Sequence, residues 1–243
     1  MFERERVLML VKTYPVPSAG YGELVCTAGI RLRDNQWICI YPYPFRQGNE
    51  GSKFKKWEVI EVDVVKADNK DHRPESYKLF DTATLVCTGK VMDTKNNWRE
   101  RMVYIRSTAL PSVRALLDGI PEKGVQDWGP TIRPVAIQPG ARFHFKFDGH
   151  EWDAKDQAKL DAMSGREAQS LFSDEQSARA MQMLKKIPYK FYLTFKDLTG
   201  AEYTYQIIDW EICQLYRKER RNKGSEEAAL ESVRYKIENQ ICV

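Results

Sequence analysis

The sequence has little of what marks a metal site, a disulfide framework or a membrane segment. Its 243 residues include only five cysteines and three histidines. The cysteines form no CxxC pair and lie far from the histidines, so neither a zinc site nor a disulfide framework is indicated. The apolar run near the amino terminus, VLMLV, is too short for a signal-peptide core or a membrane span. These absences favour a cytoplasmic protein that needs no cofactor and contacts no membrane.

Signatures of catalysis are also missing. There is no glycine-rich phosphate loop before a helix, no GxSxG, and no cysteine beside a histidine. Glu61, Asp63 and His72 remain as candidate acid, base or metal groups, because metal-dependent nucleases hold their metal with paired acids. Their spacing fits poorly, since Asp63 and the nearby Lys66 fall on opposite faces of one strand. An enzyme acting on nucleic acid or nucleotides stays an alternative, and a non-enzymatic role is favoured.

Charge of either sign is not in large excess. Lysine and arginine number 38 against 34 acidic residues, which gives a net charge of +4. This balance permits an anionic partner without requiring one. Hydrophobic residues make up 42% of the chain, enough to bury a substantial core. The chain is therefore expected to fold as one large domain or two small ones.

Two β-rich halves flank a helical stretch. Short β-type runs separated by turn residues predict strands in the first half at Arg6–Lys12, Glu23–Arg33, Gln36–Tyr43, Trp57–Lys66 and Thr82–Lys90. Similar runs occur in the second half at Thr131–Gln138, Ala141–Phe147, Pro188–Phe195 and Glu202–Ile208. We therefore predict a mainly β protein with helices, of the α+β class. Its first β module covers residues 1–95, a helical bridge residues 96–130, and a second β module with carboxyl-terminal helices residues 131–243.

Helix signals are found in the bridge and near the end of the chain. Helical spacing begins around Trp98, and a second helix is predicted after Ser112. Asp209 and Ser225 are predicted N-caps of two later helices. The polar segment 154–186 reads as a loop followed by a helix from residue 174. The apolar stripe of the last helix is still in phase where the sequence stops, which fits a continuing chain and an ordinary terminus equally well.

The stretch WICIYPYPFR, residues 37–46, raises the main functional question. A two-residue turn that begins at Asp34 would pair Leu32 with Trp37 across a hairpin. The face that carries Trp37 and Tyr41 is then apolar throughout, and we assign it to the core. Packing of the YPYPF segment at a barrel corner is an alternative to an exposed role for its last residues.

The opposite face of this hairpin is the predicted binding surface. It carries Arg31 and Arg33 at the turn end and flat apolar residues, Ile38 and Ile40, in the middle. Arginine beside aromatic rings is what single-stranded nucleic acid requires, because phosphates pair with guanidinium groups and bases stack on rings. The predicted nucleic-acid contacts are Arg31, Arg33, Tyr43, Arg46 and Arg73. A structural salt bridge to a neighbouring carboxylate is the alternative for Arg73.

Six segments carry a resemblance to a known family. They are VKTYP (11–15), ELVCTAGIR (23–31), WICIYPYPFR (37–46), HRPESY (72–77), KIPYKFYLTF (186–195) and IDWEICQLYR (208–217). With them, the sequence resembles an uncharacterised bacterial family described as dual OB-fold proteins. The resemblance implies two OB-like five-stranded barrels joined and flanked by helices. It also implies a nucleic-acid or nucleotide-binding role in prokaryotic conflict or phage-defence systems, and it implies no catalytic residue.

The residues and the resemblance together favour a non-enzymatic module that binds single-stranded or structured DNA or RNA. Such a module would be a subunit of a phage-defence or nucleic-acid-processing complex and would have a protein partner there. A pure protein-interaction scaffold is a further alternative, in which the basic residues have no ligand.

Overall fold

The computed structural model describes residues 1–18, 22–43, 54–67, 71–121, 128–167 and 186–240. Its strands are β1 (Glu3–Lys12), β2 (Val16–Ser18), β3 (Gly22–Arg31), β4 (Gln36–Tyr43), β5 (Glu58–Lys66), β6 (Ser76–Leu79), β7 (Val86–Val91), β8 (Arg142–Phe147), β9 (Tyr189–Lys196) and β10 (Glu202–Ile207). Its helices are α1 (Lys95–Arg106), α2 (Val113–Leu117), α3 (Ala154–Glu167), α4 (Trp210–Lys223) and α5 (Glu226–Gln240). None of these helices combines the length and the apolar character needed to cross a membrane.

Five strands of the first half form a closed barrel. They pair in the order β1, β3, β4, β6, β5, and β1 pairs in turn with β5. These pairings are antiparallel except for that of β4 with β6, which is parallel. The predicted α+β fold with an OB-like barrel is confirmed. The sequence did not predict β6, because it has only four residues, which follow a polar turn; it pairs with β5, the preceding strand, and with β4.

The barrel is filled by alternate side chains of its strands. Val7, Ile38 and Ile60 lie in its interior and are almost fully buried. Strand β1 has an irregularity between Met9 and Val11 and runs very close to β3 beside it. A Cβ atom at Gly29 would lie 2.3 Å from the carbonyl oxygen of Leu8. Glycine is therefore required at this position, where two backbones approach each other.

The second half is built on a three-stranded antiparallel sheet with the order β10, β9, β8. One face of this sheet packs against α4 and α5, and the shared core includes Phe143, Phe191, Ile212 and Val233. In the part of the chain that the structure describes, this sheet does not close on itself. The second half thus differs from the second OB-like barrel that the resemblance implied.

Several local predictions can be compared with the structure. Asp209 and Ser225 cap α4 and α5 as predicted, since their side chains accept hydrogen bonds from backbone N–H groups of the first turn. The prediction of a loop at the start of segment 154–186 is wrong, because α3 occupies it. Segment 131–138 forms only isolated bridges and no strand. The predicted helix from residue 174 lies outside the described residues.

The two halves touch each other directly. The backbone N–H of Tyr14, just after β1, donates to the carbonyl oxygen of Ile208 at 2.9 Å. Thr13 and Asp209 form a β-bridge beside this bond. Asp209 also binds the ammonium group of Lys56 at 2.6 Å. Segments from both ends of the sequence are therefore joined at one place.

Candidate nucleic-acid interface

The β3–β4 hairpin has a different register from the predicted one. Ile30, not Leu32, lies opposite Trp37. The turn covers residues 32–35 and is held by Asp34, whose carboxylate accepts from the guanidinium group of Arg31 at 2.7 Å. A four-residue turn replaces the predicted two-residue turn because this ion pair ties Arg31 to Asp34 across it. The predicted register is therefore wrong by two residues.

Both faces of this hairpin are buried over residues 37–40 of β4. Ile38 and Ile40 point into the barrel, and Trp37 packs outside it against residues that include Tyr104 of α1. The indole N–H of Trp37 donates to the hydroxyl of Thr108 at 3.2 Å. OB-folds use the outer face of their second and third strands for oligonucleotides, and Tyr104 and Ile105 of α1 pack against part of that face here. The prediction of a shallow basic surface around Ile38 and Ile40 is wrong.

The two arginines at the turn end belong to ion pairs within the barrel. The side chain of Arg31 is only 12% exposed and also donates to the hydroxyl of Tyr77 at 3.1 Å. Arg33 lies 2.6 Å from a carboxylate oxygen of Glu3 and 2.8 Å from one of Glu5. Burial raises the pKa of Glu5, while both arginines act to lower it. These contacts indicate that the arginines compensate acidic groups of the protein itself.

The other predicted contacts have three different outcomes. Tyr43 is 1% exposed and packs edge-on against Phe54, with ring centroids 5.3 Å apart, so the prediction that its ring faces a groove is wrong. Arg46 lies outside the described residues. Arg73 is partly exposed and makes a two-pronged contact with Asp71, at 2.8 and 2.6 Å. This contact holds the pKa of Asp71 well below its usual range.

Two of the three candidate enzymatic groups lie close to one another, at a single arginine. Glu61 and Asp63 both face Arg4, which lies 3.5 and 3.1 Å from their carboxylate oxygens. His72 belongs to the segment between β5 and β6, past the end of the strand that carries the two acids. Among the described residues, no group of three or more His, Cys, Asp and Glu side chains is arranged to hold a metal ion.

A different surface has the features that the hairpin lacks. Strand β8 has the sequence RFHFKF, in which aromatic and basic residues alternate. Because successive side chains point to opposite faces of a sheet, its phenylalanines face the side of α4 and α5 and its basic residues face away. The same alternation continues in β9 and β10. We call the side away from the helices the open face; it carries Arg142, His144, Lys146, Lys190, Tyr192, Thr194, Lys196, Glu202, Thr204 and Gln206.

Positive charge dominates the open face. Four lysine or arginine side chains share it with one carboxylate, that of Glu202, which lies 3.3 Å from Arg142. Lys146 and Lys196 are exposed, and neither has an ion-pair partner in the described part of the chain. The cations follow both β8 and β9, so the positive charge extends across the sheet.

Tyr192 lies in the middle of this positive surface. It is half-buried in the central strand, with His144 beside it on one neighbouring strand and Gln206 on the other. The next row contains Thr194 and Thr204, whose hydroxyls are 2.7 Å apart. An aromatic ring on the central strand of a sheet, with polar groups around it, can stack on a nucleobase.

Lys190 marks one end of the open face and is held by Asp148. Its ammonium group lies 2.9 Å from the Asp148 carboxylate, which also lies 3.4 Å from Lys186. The bond from Lys190 lowers the pKa of Asp148, and the carboxylate in turn raises the pKa of Lys190. The Asp148 carboxylate therefore holds the ammonium group of Lys190 at this end of the open face.

The sequence contained a signal for this surface. The alternation of RFHFKF and of YKFYLTFK separates aromatic from basic residues with a period of two. None of the basic residues of this face was among the predicted contacts. Charge patterning within the strand pattern would have found them.

Comparison with known proteins places two family domains side by side in this chain. A family model described as a domain of unknown function, DUF8758, matches residues 3–107, and another such model, DUF8757, matches residues 129–243. The first match contains the barrel and α1, and the second contains the three-stranded sheet with its helices. The comparisons with curated proteins and with solved structures find no match.

Proposed function

We propose that the protein binds single-stranded nucleic acid on the open face. The observation that carries the proposal is an exposed sheet surface with four lysine or arginine side chains, one carboxylate and a central tyrosine. Phosphates would pair with Lys146, Lys190 and Lys196, and a base would stack on Tyr192. Arg73, on the barrel, remains a further candidate contact.

Physical chemistry supports a single strand over a duplex. A base can stack on an aromatic side chain only if it is not stacked inside a double helix. Arg142 and Lys146 lie four residues apart on β8, and Lys190 and Lys196 lie six residues apart on β9. These separations are about 13 and 20 Å along the strands, so an extended backbone that follows the sheet can meet the cations at intervals. The near balance of charge in the whole chain fits a local binding surface better than general attraction to duplex DNA.

The resemblance to bacterial dual OB-fold proteins supports a wider role for this binding. We propose that the protein acts as a non-enzymatic subunit of a phage-defence or nucleic-acid-processing complex. The OB-like barrel with its covered outer face would then serve as the rigid support of the open face.

The proposal is tested by fluorescence anisotropy with single-stranded DNA, single-stranded RNA and duplex of matched length at two or more salt concentrations. We expect single strands to bind more tightly than duplex, with affinity that falls as salt rises. Replacing Lys146 and Lys196 together by alanine should reduce the slope of log affinity against log salt by about 1.4, since each phosphate contact on a single strand contributes about 0.7. Tyr192→Ala should weaken binding by about 1–3 kcal/mol.

Matched variants exclude general effects of charge and surface area. Lys95→Ala removes an exposed cation from α1, and Tyr235→Ala removes an exposed ring from α5. Both should bind like the wild-type protein. If the double lysine variant and Lys95→Ala have the same salt slope as the wild type, the open face is not the binding surface. If no strand binds, the proposed function is wrong.

One observation favours a second candidate function, a protein-interaction scaffold. Phe195, Tyr203 and Tyr205 form a ladder of rings at the edge strand β10, and Tyr205 is 47% exposed. Edge strands with exposed apolar side chains can accept an extended segment from a partner. Stable co-purification with a partner that is lost in Tyr205→Ala, together with no nucleic-acid binding, would favour this function.

A further inference from the structure

A cleft of about 430 Å³ lies between the barrel and the second half. Tyr41 of β4 and Val16 of β2 line it on the barrel side, while Trp152, Tyr189 and Ile208 line it on the other side. Its volume falls within the range of sites that hold small organic ligands, about 300–1,000 Å³. The segments that build it come from both family domains.

The cleft gathers large apolar side chains that remain exposed. Val16 is 44% exposed, Tyr41 42% and Ile208 58%. Single exposed apolar residues are common on protein surfaces, but a group of them in one concavity indicates a binding site. Because each comes from a different segment, their grouping is a property of the fold and not of one hydrophobic stretch.

Aromatic rings make up much of the lining. Tyr41, Trp152 and Tyr189 line the cleft, with Phe191 buried behind them. Tyrosine and tryptophan combine a flat apolar face with a polar atom at the edge, which suits a flat heterocycle that carries polar groups of its own. An aliphatic ligand would make no use of the polar edges.

Polar groups connect the cleft with the open face. Lys190 and Gln206 line the cleft and also stand on the open face. The Asp148 carboxylate fixes Lys190 in place, and Asp153 and Asp156 add two further carboxylates and Lys186 a second cation to the lining. A carboxylate can accept a hydrogen bond from the exocyclic amino group of a base, and a lysine can pair with the phosphate of the same nucleotide.

We propose that the cleft binds a nucleobase, with its sugar and phosphate directed toward Lys190. This inference rests on the proposed function, because the base would belong to the strand that lies on the open face. The ring lies against Tyr41, and the backbone passes Lys190 onto the sheet. A free nucleotide offers the same base and phosphate as a nucleotide within a strand. The experiment must therefore distinguish a free nucleotide from an oligonucleotide.

The probe is 2-aminopurine, a fluorescent base whose emission falls when it stacks on an aromatic ring. It is titrated first as the free ribonucleoside monophosphate and then as one base moved through successive positions of a single-stranded oligonucleotide. We expect strong quenching at one position of the oligonucleotide. Tyr41→Ala should relieve this quenching and weaken binding by about tenfold, while the matched variant Tyr235→Ala should leave both unchanged.

A second variant and a second measurement separate the possible failures. Ile208→Ala removes a side chain that is 58% exposed and so should fold normally, and it should also reduce the quenching. Quenching of the free nucleotide that is lost in Tyr41→Ala supports the cleft with a free nucleotide as its source. If the oligonucleotide binds with its normal salt dependence and neither variant changes the quenching at any position, the cleft inference is wrong and the open face stands. Absence of oligonucleotide binding in the anisotropy experiment contradicts the proposed function itself.

Discussion

The barrel and the three-stranded sheet differ in how their two faces are buried. The barrel wall has its interior filled and much of its outer side covered, so Trp37 and Ile38, which point in opposite directions, are both buried. The three-stranded sheet buries one face against α4 and α5 and leaves the other exposed. The comparison teaches that a basic residue on a strand is evidence for a ligand only if the face of the sheet that carries it is exposed.

Charges in the two regions differ accordingly. Arg31 and Arg33 meet carboxylates of the barrel at short distances. A charge removed from water, such as that of Arg31, must be compensated nearby, because its desolvation costs several kcal/mol, whereas Arg33 is 56% exposed and forms its ion pairs at the surface. Lys146 and Lys196 on the open face stay in water and need no such compensation. They are therefore available to an anion from outside.

The largest effect is expected from truncation inside the barrel. Ile60→Ala should lower the free energy of unfolding by about 2–5 kcal/mol, because it leaves a cavity in a fully buried position. Gln206→Ala, on the open face, should change it by less than about 0.5 kcal/mol. Urea denaturation of both variants measures the contrast. Equal losses of stability in the two variants would mean that the open face is as buried as the barrel interior.

A buried cation gives the next largest effect, and it depends on pH. Lys12 is buried in the barrel wall, and burial lowers its pKa from 10.5 to about 8. Between these two values the unfolded chain binds more protons than the folded protein, so this group makes the protein more stable as pH rises from 8 to 10.5. The shift corresponds to about 3 kcal/mol.

Lys12→Met is the variant that isolates this effect. The wild type gains stability as pH rises across this window, and the variant does not. The free energy of unfolding of the variant minus that of the wild type should therefore fall by up to about 3 kcal/mol. The exposed Lys146→Met is the control and should follow the wild-type curve. Parallel curves for Lys12→Met and the wild type would show that the buried lysine titrates normally.

The smallest of the three effects separates stability from binding. Arg31→Ala removes the ion pair with Asp34 and the bond to Tyr77, and it should destabilise the protein by about 1–3 kcal/mol. Its affinity for single strands should be that of the wild type, the reverse of the pattern expected for the open-face lysines. A folded Arg31→Ala protein with reduced affinity and a reduced salt slope would restore the hairpin as the binding surface.

Local features of this chain were predictable from the sequence. The N-caps Asp209 and Ser225 and the bounds of β4 and β8 follow from residue type and short-range pattern, and the strand bounds differ by at most one residue. These features depend on neighbouring residues, which the sequence displays directly. The OB-like barrel was available only through the family resemblance, since its closure rests on pairings between distant strands.

The binding surface was harder to predict, for two physical reasons. The turn at residues 32–35 is set by the Arg31–Asp34 ion pair, and a two-residue error there changes every cross-strand partner. Burial of both hairpin faces depends on barrel closure and on α1, neither of which the hairpin sequence contains. The cleft lies between segments more than a hundred residues apart in the chain, such as Tyr41 and Ile208, so no local pattern could indicate it.

The contact between Tyr14 and Ile208 bears on how far the two domains can move relative to each other. Backbone hydrogen bonds and the Lys56–Asp209 ion pair join the halves at this place. The segment that links the halves in sequence adds contacts of its own, since Thr108 accepts a hydrogen bond from Trp37 and the backbone N–H of Val113 donates to Asp197. A hinge motion between the two domains would therefore have to break contacts at more than one place.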